Sequence, residues 1–198
     1  MEFFDRLKKY DIILGSNSPR RKQLLEESGI PFRVIGKQAS EDFPENLSPK
    51  EIVIFLSKNK SKAYSDELSA INTIVITADT IVISDGKILN KPADAIEAEK
   101  MLNSLSGKTH EVYTGVTISS NSDSNSFYEK TLVSFAKLSQ EEIEYYIKNF
   151  KPFDKAGSYG IQEWLGLIGI DRIEGSYHNV VGLPVQRVYA TLKSFVGA

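Results

Sequence analysis

Several short segments of this chain combine residue types that could hold a polyanion and move a proton. The first is Gly15-Ser16-Asn17-Ser18-Pro19-Arg20-Arg21. A glycine and two serines lead into a helix start marked by Ser18 and Pro19, and two arginines follow at once. The N–H groups of a first helical turn, with the positive end of the dipole, favour an anion. Serine hydroxyls add donors, and a guanidinium is a two-pronged fork suited to phosphate. The same residues also make an ordinary helix cap with two solvated arginines. The Gly-x-x-x-x-Gly-Lys-Ser/Thr pattern is absent, which excludes a P-loop.

Two charged residues occupy apolar patterns. Lys60 follows Leu56 by four residues and Ile52 by eight, so it falls within an apolar helical stripe, whereas Lys58 and Lys62 point elsewhere. An inward lysine either snorkels or has an anionic partner. Asp79 interrupts Thr73–Ile83, a run that otherwise reads as buried strand, and a buried carboxylate needs a metal, a cation or backbone donors. Asp85-Gly86 reads as a two-residue hairpin turn. It pairs Ser84 with Lys87 and, in strict register, Thr80 with Lys91. That brings Lys91 within a residue of Asp79 but on the other face, so a bulge or an early strand end is needed for the two to converge. The stretch Asp154-Lys155-Ala156-Gly157-Ser158-Tyr159-Gly160-Ile161-Gln162 has glycines that permit close backbone approach to a ligand. Glu174 to Pro184 repeats the loop-to-helix design. His110 reads as structural.

The elements that must position these residues alternate. Ile12–Leu14 reads as a buried strand, followed by a helix from Ser18 to about Gly29. Phe32–Ile35 reads as a second strand, followed by an acidic loop, 40–46. Ser48-Pro49-Lys50-Glu51 is a capping box opening a helix to about Asp66. Strand Ile71–Ile83 and the hairpin come next. Then follows a helix opened by Asp94 and Glu97, with Ala98, Met101, Leu102 and Leu105 on one face, closed by Gly107. Val112–Ser119 and Phe127–Ala136 predict a hairpin around a low-complexity loop, 121–126. Ser139 and Glu142 cap a helix to about Phe150, Leu165–Glu174 reads as a strand, and Pro184 opens a terminal amphipathic helix. The pattern predicts an α/β or mixed α+β protein with a largely central sheet, as one domain over residues 1–198.

A formal net charge of -2 argues against a nucleic-acid binder working by bulk electrostatics. The absence of cysteine excludes thiolate chemistry. With two histidines, any metal is expected on carboxylates and to be a hard ion. The acidic start Met1–Asp5 lacks a signal-peptide core and no apolar stretch is long enough to span a membrane, so a cytoplasmic protein is expected. Tyr145, Tyr146 and Trp164, read as exposed, leave room for a homodimer.

Taken together, Ser16-Asn17-Ser18-Pro19-Arg20-Arg21, Ala78-Asp79-Thr80-Ile81-Val82, Lys91-Pro92, Ser106–His110, Asp154–Gln162 and Gly175–Pro184 resemble, in this order, the Maf family of nucleoside triphosphate pyrophosphatases. The resemblance runs from about Ile12 to Phe195. It implies an elongated mixed sheet flanked by helices, with two lobes around a cleft, as in inosine-triphosphate pyrophosphatases. It also implies hydrolysis of a nucleoside triphosphate to monophosphate and pyrophosphate with a divalent metal, Mg²⁺ or alternatively Mn²⁺. By resemblance Ser16 and Arg21 bind phosphate, and Glu41, Lys60 and Lys91 line the cleft. Asp79 is the proton acceptor, and Glu41 with Asp79 is expected to hold the metal. Arg20, Thr80 and Gln162 match the specificity positions of the subgroup acting on dTTP and UTP; a subgroup acting on 7-methyl-GTP carries Gln after the Asp. Asn17, Thr77 and Asn90 depart from the family's usual small residues. A nucleotide-binding regulator of cell division without turnover stays open as the alternative.

Overall fold

The apolar run Ile12–Leu14 lies fully inside β1 (Asp11–Leu14) in the computed structural model, which describes residues 2–197. Ser18 caps α2 (Pro19–Glu27), accepting from the backbone N–H of Arg21, and Pro19 stands at the helix start. β2 (Arg33–Val34) is shorter than the Phe32–Ile35 expected; both its residues are exposed at the sheet edge. The helix expected to reach Asp66 is broken. α3 (Pro49–Lys62) ends where the chain turns inward to bury Tyr64, and α4 (Ser65–Leu68) follows. The Tyr64 hydroxyl donates to the Ile35 carbonyl at 2.7 Å.

β3 (Thr73–Ser84) and β4 (Lys87–Leu89) form the expected hairpin, with Ser84 opposite Lys87. Asp85 and Gly86 both take positive φ, as a tight two-residue turn between twisted strands requires. α5 (Ala95–Leu105) buries the four predicted residues. β5 (Thr109–Ser119) begins before the expected Val112, and β6 (Ser124–Phe135) begins before the expected Phe127, where the Ser124 hydroxyl lies 3.0 Å from that of Ser119. α6 (Gln140–Phe150) begins at the Ser139–Glu142 capping box. The strand expected over Leu165–Glu174 is a helix and then a strand: α7 (Trp164–Gly169) and β7 (Ile170–Glu174). Short helix α8 (Tyr177–Val181) and amphipathic α9 (Val185–Phe195) close the chain. A first helix, α1 (Glu2–Leu7), was not expected; it sets the Phe3 ring 4.6 Å from that of Tyr189 on α9.

The result is a mixed α/β protein with a seven-stranded sheet in the order β2-β1-β3-β5-β6-β7, β4 pairing with β3. β1 runs parallel to both β2 and β3, and β7 antiparallel to β6. The chain divides into two compact units. The first comprises Met1–Asp79, Thr114–Glu129 and Gly182–Ala198, and the second Thr80–Tyr113 and Lys130–Val181.

Candidate active site

In the first unit the sheet delivers Asp79 and α3 delivers Lys60. Asp79 is buried, as its place in an apolar strand predicts, and the Lys60 ammonium forms an ion pair with it. The same ammonium lies 3.2 Å from the Glu41 carboxylate, which the acidic loop brings in from solvent. Two carboxylates distant in sequence therefore converge on one lysine. Lys58 and Lys62 are exposed, in agreement with the helical period.

The loop before α2 stands in the same electrostatic neighbourhood. Burial pulls the Arg21 guanidinium below its usual range; Asp79 and Glu41 oppose that pull, and Arg20 adds to it. Arg21 also ties the backbone together. Its Nε donates to the Gly182 carbonyl at 2.8 Å, and its Nη1 donates to the Ala78 carbonyl at 2.9 Å and the Ser16 hydroxyl at 3.3 Å. The Ser16 hydroxyl accepts from the Ser18 N–H as well. Arg21 thus anchors the residue preceding Asp79, a role that sequence alone did not suggest.

What sets Lys60 against Asp79 is a seam between α3 and β5. Alternate β5 residues Gly115, Thr117 and Ser119 meet Val53, Ser57 and Ser61, spaced one helical turn apart. The Ser57 and Thr117 hydroxyls are 2.9 Å apart, as are those of Ser61 and Ser119. A Cβ on Gly115 would stand 2.2 Å from the Val53 carbonyl oxygen, so only glycine lets the helix backbone this close. Thr77, on the Asp79 side of β3, donates to the Ser57 carbonyl at 2.8 Å. That explains one departure from the family pattern: the threonine hydroxyl pins α3 at the level of Lys60. Asn17, another departure, packs its amide against Gly36, where a Cβ would be only 1.6 Å from its Oδ1.

The second unit holds Thr80, Lys91 and Gln162. Thr80 is half-buried, and Lys91 and Gln162 are exposed. The β3–β4 ladder stops at the Val82–Leu89 pair, so Thr80 and Lys91 are not the ladder partners that strict register predicted. The Gly157 N–H donates to the Asn90 carbonyl at 3.3 Å, tying the glycine-rich loop to the segment that carries Lys91. Lys155 and Glu163, which sequence reading left without a role, form an ion pair at 3.1 Å. Tyr146 was expected to be exposed and is fully buried, its hydroxyl bonded to Glu163. The signal for it was its position on α6, one residue before Ile147 on the inward face.

Among the remaining motifs, His110 is structural as expected. It is buried with its Nε2 2.7 Å from the Tyr159 hydroxyl, and burial lowers its pKa to about 4. The Asn179 amide donates to the Val112 carbonyl at 3.1 Å and the Thr131 hydroxyl at 2.9 Å, so Gly175–Pro184 serves the fold.

For a metal, the donor chemistry of the first unit is the test. Among the described residues no group of three acidic or imidazole side chains forms a closed cage. Glu41 and Asp79 converging on a single ammonium do offer two hard oxygen donors near one point. That set fits a hard divalent ion which takes one or two carboxylates and completes its shell with substrate phosphates and water.

An α/β sheet protein with paired carboxylates, an inward lysine and an arginine-bearing helix start carries groups of the kind that suit a phosphorylated ligand. The Maf-like protein family model matches residues 11–195, and the chain belongs to that family. It is 52% identical over 195 residues to a Porphyromonas gingivalis protein named dTTP/UTP pyrophosphatase, with 96% of this chain and 97% of that one covered. A Christiangramia forsetii protein of the same name is 50% identical over 192 residues, covering 97% of each chain. Among solved structures, the Staphylococcus aureus Ham1 protein superposes with a TM-score of 0.50 at 16% identity, covering 93% of this chain and 99% of that one. The two proteins share a fold.

Proposed function

We propose that this protein hydrolyses dTTP and UTP to the monophosphate and pyrophosphate. The observation that carries the reading is the convergence of Asp79 and Glu41 on Lys60, beside Arg21. A carboxylate held at a fixed point by a lysine is suited to take a proton from water. The names of the relatives, at about half identity over nearly full length, support the choice of nucleotide.

In this reading water attacks the α-phosphorus. Its oxygen bonds to phosphorus, Asp79 accepts a proton, and the bond to the bridging oxygen breaks so that pyrophosphate leaves. Arg20, Arg21, Lys60 and Lys91 neutralise the triphosphate, and Ser16 donates to it. Mg²⁺, or Mn²⁺ in its place, would be held by Glu41 and Asp79 and would supply further positive charge to the phosphates. Thr80 and Gln162 read the base, with Arg20 helping to set substrate choice. Residues 1–198 work as one catalytic domain in the cytoplasm, on free nucleotide rather than nucleic acid, and Tyr145 with Trp164 leaves room for a homodimer.

The test is pyrophosphate release from dTTP, UTP, CTP, GTP and 7-methyl-GTP with Mg²⁺. Release is expected from dTTP and UTP, and Asp79→Asn should lower kcat by about 10²-fold or more while the protein stays folded. Tight UTP binding without release would overturn the enzyme in favour of a nucleotide-binding regulator.

A further inference from the structure

One buried tyrosine sits where the segments leading to Ser16, Glu41 and Asp79 meet, and the hydrolytic reaction gives it no part. Tyr64 packs with Ile13 and Val75 in a core of the first unit. A Cβ on Gly15 would stand 2.9 Å from Tyr64 Cζ and 2.8 Å from Thr77 Cγ2. The tyrosine ring and the threonine methyl group therefore fill the space that a side chain on Gly15 would need. The Gly15 N–H donates to the Ile76 carbonyl at 2.8 Å. The residue before Ser16 is thus wedged between β3 and the Tyr64 ring.

The hydroxyl of the same side chain holds a second segment. It donates to the Ile35 carbonyl at 2.7 Å and accepts the Lys37 N–H at 3.1 Å. One oxygen therefore spans Gly36, the residue against which the Asn17 amide packs. Lys37 is fastened a second time. Its ammonium donates to the Ala63 carbonyl at 2.9 Å and to Glu67 at 2.7 Å, and it lies 5.0 Å from the centre of the Tyr64 ring. Beyond this clasp the chain runs without helix or strand until α3 begins at Pro49. Glu41 comes four residues after Lys37, a tether of at most about 14 Å, and meets Lys60 from there. A segment with no ladder or helix of its own is placed by its anchors, so fastening Ile35 and Lys37 limits where the Glu41 carboxylate can stand.

We propose that Tyr64 is a positioning residue for Glu41: its ring sets Gly15 against β3, and its hydroxyl holds the segment from which Glu41 reaches Lys60. Ring and hydroxyl do separable work. Removing the oxygen leaves Gly15 packed and releases residues 35–37. The inference rests on the reading of Glu41 as a carboxylate of the reaction.

The experiment is a double-mutant cycle on kcat/KM for dTTP with Tyr64→Phe and Glu41→Gln, together with amide hydrogen exchange on the same proteins without nucleotide. Glu41→Gln alone should lower kcat/KM about tenfold or more. Tyr64→Phe alone should lower it about threefold to tenfold, the worth of one or two hydrogen bonds. In the Glu41→Gln protein it should change nothing further, because the hydroxyl acts through that carboxylate. Exchange in Tyr64→Phe should quicken across residues 37–43 while β1 and β3 keep their protection. A general loss of structure would lower kcat/KM by the same factor in both backgrounds and would speed exchange in β1 and β3 as well; either result overturns the proposal. If Tyr64→Phe folds poorly, Lys37→Met decides, since that side chain is partly exposed and removes the other half of the clasp. It should lower kcat/KM in the wild type and leave Glu41→Gln unchanged; an equal loss in both backgrounds, or none in either, overturns the proposal. If Glu41→Gln lowers kcat/KM and Tyr64→Phe does not, Glu41 keeps its role and Tyr64 loses the one proposed. If Glu41→Gln has no effect, the reading of Glu41 falls and the inference with it.

Discussion

A carboxylate set into an apolar strand needs a cation, and in this chain Lys60 reaches Asp79 from α3. Lys60→Met keeps the length of the side chain and removes its charge. It should cost about 1–3 kcal/mol, since it leaves a buried acceptor without its donor, and denaturant unfolding measures that loss. Hydrolysis of dTTP should fall with it by about tenfold or more, because the same ammonium is assigned to the triphosphate. Thr77→Val retains shape and removes the donor to the Ser57 carbonyl. The expected cost is about 1 kcal/mol, with a drop in kcat larger than that loss of folded protein explains. Both charged residues were legible because each broke a period: Lys60 the helical stripe and Asp79 the apolar strand. Their pairing was not legible, since hairpin register pointed to Lys91 and no local pattern links two residues on separate elements. The network of Tyr146, Lys155 and Glu163 was missed for a similar reason. Each of the three is an ordinary residue in its own segment, and only the loop's path makes them partners.

At the level of elements, α3 is placed by contact with β5 rather than by its apolar stripe alone. Gly115→Ala would drive a methyl group into the Val53 carbonyl. Because the obstacle is backbone, the helix must retreat. A loss of about 1–3 kcal/mol is expected from overpacking, read as a lower melting temperature, together with reduced dTTP hydrolysis as Lys60 withdraws from Asp79. Helices with caps were legible in the sequence: Ser18, Asp94 and Ser139 each accept from the first turn of the helix they open. Elements that lack such punctuation were not. Leu165-Gly166-Leu167-Ile168-Gly169-Ile170 is a short apolar run, and periodicity cannot tell a strand from a helical turn and a half at that length. Gly166 resolves it, since a Cβ there would meet the Ile161 carbonyl at 1.8 Å and only a bare backbone can coil this tightly after the loop. α1 is equally short; it owes its place to Phe3 packing on Tyr189, a contact between the two ends of the chain.

For the whole molecule, the order of the motifs carried more than any one of them, and it led to the family and the fold where composition gave only an α/β protein. That resemblance implied two lobes, but where the chain divides was not visible in it, because strands β3, β5 and β6 run through the boundaries without a linker. Global stability should depend on pH through His110. Its pKa is lowered to about 4 in the folded chain, against 6.5 for an ordinary histidine. Between those values the unfolded chain holds the proton and the folded chain does not, so stability falls as pH drops through that window. The loss should reach about 3 kcal/mol by its lower end. Unfolding free energies measured between pH 7 and pH 5, before most carboxylates titrate, should slope downward in the wild type and be flatter in His110→Gln. No helix among the described residues is long and apolar enough to cross a membrane. With Tyr146 buried, the expected aromatic contact surface narrows to Tyr145 and the partly covered Trp164, whose rings lie 4.8 Å apart.

The seam of hydroxyls and bare glycine between α3 and β5 has a thermal consequence. Chilling weakens contacts held by apolar burial, because their driving force fades as water cools. A helix gripped by Ser57, Ser61, Thr117 and Ser119, with its backbone against Gly115, has less of that dependence. Lys60 thus rides on a seam less prone to slacken in the cold than an apolar contact of the same extent would be.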